Sequence, residues 1–143
     1  MIMRIPEKIA GLRPLTILLA VYFVVWIVLE GDLTQTVVLG VGSSVVAAAN
    51  LWQRWGRGRE LSRGFWLLLM TGTGLVLGAA AVFVTLFFMA VKTGLHAHGP
   101  EFTPAEIRWV VDQLPLWAIT ATLTALGLAS LILGMNGPRQ KNR

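Results

Sequence analysis

The sequence predicts an all-α, polytopic membrane protein. Four transmembrane helices run up, down, up and down, with a short amphipathic helix in the outer loop between helices 3 and 4. Three observations predict this. The first is composition: of 143 residues, 55% are hydrophobic and only 13% charged, and the mean hydropathy is +0.69. A soluble domain carries about 25% charge. The shortfall excludes a disordered chain and argues against a soluble globule. The second is a set of four runs free of Asp, Glu, Lys and Arg: Pro14–Leu29, Leu33–Gln53, Gly64–Val91 and Gln113–Pro138. The third is a one-sided distribution of basic residues, which sets the orientation of those runs.

Each run is then justified in order. A spanning helix needs about 20 apolar residues, and in lipid the backbone must bond internally, so each run reads as a helix. No run alternates polar and apolar residues, so a β-barrel is excluded. Helix 1 covers about 12–29. It is short, and Leu12 with the aliphatic stem of Arg13 extends it by snorkelling. Leu29-Glu30-Gly31-Asp32 lacks a small-residue cleavage motif, so the segment reads as an uncleaved signal anchor. Glu30, Gly31 and Asp32 form a tight turn into helix 2, about 33–53. Helix 3 covers about 64–92 and helix 4 about 114–136, so residues 1–143 form a single four-helix transmembrane domain.

The outer segment carries its own signals. Thr103 and Glu106 form a capping box and Pro104 suits a first helical position. A helix is expected over about 104–113. Ile107, Val110, Val111 and Leu114 share its apolar face, so it lies on the outer leaflet or covers the bundle. Pro115 breaks it or kinks it into helix 4.

Ten of the twelve basic residues fall on one side: Arg4, Lys8, Arg13, then Arg54, Arg57, Arg59 and Arg63, then Arg139, Lys141 and Arg143. Lys92 and Arg108 are on the other. The positive-inside rule puts both termini in the cytoplasm and points to a prokaryotic inner (cytoplasmic) membrane. Trp52, Trp55 and Trp66 are expected at the cytoplasmic boundary, and Trp26, Trp109 and Trp117 at the outer one, as an aromatic belt. Membrane geometry thus accounts for the net charge of +5 without nucleic acid, because no basic stripe interleaves with exposed aromatics.

Small residues allow close helix approach in lipid, where no hydrophobic drive joins helices. Gly40 and Ser44 on helix 2, Gly74 and Gly78 on helix 3, and Ala121 and Ala125 on helix 4 are the expected packing positions. Helix 1 is bulky throughout and is expected at the periphery. Arg54, Arg57, Arg59 and Arg63 read as a flexible loop that contacts lipid headgroups or an acidic partner. His96 and His98, with Glu101 nearby, are the candidate metal ligands, since imidazole suits zinc, copper or iron. No established ligand spacing accompanies them.

What is missing narrows the function. There is no cysteine, so thiolate chemistry is excluded. No ionisable residue lies deep within a run, whereas ion-coupled transporters build their path from such residues. No nucleophile elbow, zincin or phosphate-loop motif occurs. The leading expectation is a non-catalytic accessory subunit or assembly factor of a larger membrane complex, possibly a bioenergetic one. Its partners would be the bilayer and other membrane subunits. The alternatives are a small metal- or cofactor-binding redox protein using the His96/His98 loop, and an oligomeric small transporter or pore.

Overall fold

A computed structural model describes residues 2–4, 8–29, 32–95 and 99–135, residues 2–4 by their backbone alone. The chain is nearly all helical. The helices are α1 (Leu12–Val28), α2 (Leu33–Trp55), α3 (Arg63–Leu95), α4 (Pro104–Asp112) and α5 (Leu114–Met135). Three helical segments are long and apolar enough to cross a membrane: α2, α3, and α4 with α5 taken together over Pro104–Met135. The 17 residues of α1 make a shorter apolar helix, roughly 25 Å long at 1.5 Å per residue.

Large apolar side chains point outward along most helices. Ile17, Leu18, Val24 and Val28 of α1, and Leu123 and Leu131 of α5, are all more than half exposed. A soluble monomer rarely shows such continuous apolar surface; a chain solvated by lipid requires it. Hydroxyls within the helices bond back to their own backbone four residues earlier. Thr71 donates to Leu67 O at 2.8 Å, Thr85 to Ala81 O at 2.7 Å and Thr124 to Thr120 O at 2.8 Å. Each therefore meets a low-dielectric surround without a free polar group.

The central element is α3. It packs most extensively against α5 on one side and α2 on the other, and α1 leans on α2. Small residues set the closeness of these contacts. A Cβ added at Gly74 would lie 2.5 Å from Thr122 Cα, and one at Gly78 would lie 2.5 Å from Trp117 O and still nearer Ala118 Cα. One at Gly40 would collide with Thr85. Ser44 and Ala125 are buried beside these contacts. The two helix pairs therefore touch backbone to backbone, where dispersion is strongest.

Two short strands stand outside the helical expectation. β1 (Ile2–Arg4) pairs antiparallel with β2 (Glu60–Ser62), with Arg4 opposite Glu60. The segment after Arg54 was expected to be a flexible loop; part of it is instead pinned by this ladder. Local backbone pairing decides this, because three residues are too few to show a period.

The molecule has two distinct ends. At the arginine end lie the start of α1, the end of α2, β2 and the start of α3, together with the end of α5. Ile9 N donates to Gln53 Oε1 at 2.9 Å there, and Trp66 packs on Ala129. At the opposite end, α4 lies over the bundle as a lid. Its Val110 is fully buried in a cluster with Val82, Met89 and Phe102, whereas Ile107, Val111 and Leu114 of the expected apolar face are exposed, so α4 is anchored to the protein through Val110 and leaves most of that face outward. The lid begins as the capping box requires: Glu106 N donates to Thr103 Oγ1 and Thr103 N to Glu106 Oε2. α4 ends at Asp112 with Gln113 as its C-cap, two residues before Pro115, and α5 follows directly. The proline lacks the N–H that would continue the ladder.

Candidate functional site

At the lid end, a cation is buried. Lys92, in the last turn of α3, has no exposed surface. Its Nζ donates to Trp26 O at 2.6 Å and Ile27 O at 3.2 Å, and also to Leu29 O. These are carbonyls at the C-terminus of α1, which lack intrahelical donors and carry the negative end of the helix dipole. The ammonium also sits 4.8 Å from the Trp26 ring centroid, a cation–π distance. Trp26 is itself fully buried, with its indole N–H donating to Thr36 Oγ1 at 3.2 Å. Phe23 and Phe88 complete the aromatic contact between α1 and α3.

This arrangement corrects two expectations. Trp26 is not a belt residue at the outer boundary, because the protein interior takes it up between α1, α2 and α3. Lys92 is not a rim charge, because α3 continues to Leu95 and carries it into the packed interior. The sequence held a signal for both. Lys92 follows Phe88 by one helical turn and ends a charge-free run, and Trp26 lies near the end of a helix without a basic residue in its last turn.

His96 and His98 lie outside the described residues, so the metal-site expectation rests on Glu101 alone in the structure, and Glu101 is half-buried. Among the described residues no group of three His, Cys, Asp or Glu side chains converges. Glu106 holds its carboxyl below the usual carboxylate range, chiefly because the backbone N–H of Thr103 donates to it, with the Thr103 hydroxyl second. That carboxylate serves the helix cap.

The arginine end has a defined geometry. The backbone turns at Gly56 to Arg59, with Arg59 N donating to Gly56 O at 3.0 Å. Gly58 takes φ of +70°, a conformation that side-chain-bearing residues disfavour. The turn returns Arg59 over Trp55, with its guanidinium carbon 4.2 Å from the ring centroid. Trp55 meets Trp52 edge-on, and Trp52 meets Trp66 edge-on. Trp66 is 5% exposed and its buried indole N–H has no acceptor among the described residues. Arg54 and Arg57 are exposed, and Arg63 opens α3. Below this ring of aromatics, a groove of about 270 Å³ runs between α2 and α3, lined by Leu51, Trp52, Trp55, Leu69 and Thr73.

The outward face of α5 is the third feature. Thr120, Thr124 and Ser130 are exposed on it. A Cβ added at Gly127 or Gly134 would meet nothing within 4 Å.

Comparison with protein families, curated proteins and solved structures finds no match to this chain.

Proposed function

We propose that this chain is a non-catalytic integral membrane protein that spans the bilayer four times, keeps both termini in the cytoplasm and serves as an accessory subunit of a larger membrane complex. The observation that carries the reading is the free face of α5. Only 11% of the apolar window in Pro104–Met135 is buried inside the chain. Its outward side offers small and hydroxylated residues at helical spacing, Thr120, Thr124, Gly127 and Gly134. Such a face lets a neighbouring helix approach closely. Inside, the buried hydroxyls of Thr36, Ser44 and Thr85 bond back to the backbone four residues earlier, and Lys92 is engaged by α1.

The four-span arrangement is supported by how α1 lies on α2. Ile9 meets Gln53 at one end of the pair and Trp26 meets Thr36 at the other. The pair therefore covers the same height, and modest bilayer thinning accommodates the shorter α1.

Mild-detergent extraction from the native membrane, followed by identification of stoichiometric companions, tests this reading. Other membrane polypeptides should co-purify. Gly127→Leu should strip them while leaving the chain folded, because that position faces open space. A lone, monodisperse species at native abundance would sink the proposal.

A further inference from the structure

We infer that the groove between α2 and α3 at the arginine end seats one anionic phospholipid, with Arg59 holding the phosphate and an acyl chain lying along Leu51, Leu69 and Thr73. The inference is independent of the partner-subunit reading, because it concerns a different face of the molecule.

The groove is lined by apolar and aromatic side chains and Thr73, and a guanidinium stacks on one of its walls, a pairing that suits a lipid. Next to the groove, Arg59 stacks on Trp55, which is itself one of the groove's walls. A guanidinium held on a ring face is positioned by that face, and its N–H edge is left for phosphate oxygens, which it matches in geometry. Charge complementarity selects an anionic headgroup. The stretch from Arg54 to Arg63 carries four arginines against the single carboxylate of Glu60, which lies in β2 with Arg4 opposite in register. Basic pockets between transmembrane helices on the cytoplasmic side are suited to such headgroups.

The lining itself carries no charge. Leu51 and Leu69 are apolar, and the Thr73 hydroxyl donates to Leu69 O at 2.8 Å, so it presents its methyl group. A volume of about 270 Å³ takes part of one chain, not a whole lipid. The backbone turn at Gly58 and the β1–β2 ladder hold the backbone on either side of Arg59. This differs from a mobile basic loop, which attracts a charged surface without seating any one molecule.

The full chain in detergent, mixed with equal amounts of dioleoylphosphatidylglycerol and dioleoylphosphatidylcholine, provides the test, read by native mass spectrometry. One phosphatidylglycerol per chain should be retained in preference to phosphatidylcholine. Arg59→Gln should lower that retention about tenfold, the effect of one charge-assisted hydrogen bond. Arg57→Gln, at an exposed position outside the groove, should change it less than about threefold. Thr73→Trp should fill the groove and abolish retention with every arginine present. Because that variant could perturb packing, tryptophan quenching by phosphatidylglycerol brominated on its acyl chains gives a second reading, and Trp55→Phe should remove part of it. Equal retention of the two lipids would overturn the inference. So would wild-type retention by Arg59→Gln, equal losses in Arg57→Gln and Arg59→Gln, or a second copy of the chain covering the groove.

Discussion

Lys92 Nζ on α3 donates to the main-chain oxygen of Trp26 on α1 at 2.6 Å, with both residues fully buried. One side chain thus ties the end of the most peripheral helix to the most central one. The bond joins an ammonium to the negative end of a helix dipole, and Trp26 supplies the ring that covers it.

Replacing Lys92 by Met should therefore destabilise the protein by about 3 kcal/mol, because buried carbonyls lose a charged donor. Lys92→Arg should retain part of the stability, since a cation remains. Thermal unfolding in detergent, followed by circular dichroism, measures both. Wild-type stability in Lys92→Met would show that water satisfies these carbonyls.

Two glycines of similar sequence context should behave oppositely. Gly78→Ala forces a Cβ against the backbone of Ala118 and Trp117, and overpacking of this kind costs about 1–3 kcal/mol. Gly127→Ala meets nothing within 4 Å and should be neutral or gain up to about 1 kcal/mol from helix propensity. Unfolding of the two variants side by side checks the contrast.

The lid should loosen in acid. Glu106 titrates below its ordinary value of 4.5 because Thr103 donates to its carboxylate. A depressed folded-state pKa contributes stability that is present above the unfolded value and is lost as pH falls through the folded one. Amide protection at the start of α4 should thus be constant near neutrality and decline below about pH 4.5. Thr103→Ala should lose about 1 kcal/mol of local stability at neutral pH and weaken that dependence without removing it, because the backbone N–H at 103 still donates to Glu106. Hydrogen exchange resolved to residues 104–107 reads both effects.

The absence of cysteine makes topology easy to measure. Single cysteines introduced as Arg57→Cys and Ala105→Cys should label from opposite sides of sealed vesicles, with Arg57→Cys on the cytoplasmic face. Labelling of both from one side would contradict the proposed four spans.

The helices were legible because the physics that forms them is local. In lipid, a charge-free run has no option but to bond its backbone internally, and the capping box of α4 is written in four consecutive residues. The close approach of α3 to α5 and to α2 was partly legible as well, since Gly40, Gly74 and Gly78 stand where bulky residues would separate helices. The arginines at 54, 57, 59 and 63 were visible as a charged cluster, but Arg59's seat on Trp55 was not. That contact needs the turn at Gly58, and a glycine in sequence does not announce its sign of φ. Trp26 and Lys92 were misplaced for a related reason. Interfacial tryptophan and buried tryptophan look alike at the end of an apolar run.

By itself, the sequence determined that this chain is helical and apolar enough for a bilayer, because composition and run length act on each segment separately. Only the tertiary structure decided which end of which helix receives the lysine, which face α4 covers and where α2 and α3 leave a groove. Those outcomes depend on contacts between residues as far apart as Trp26 and Lys92, and no local pattern encodes a distance in space.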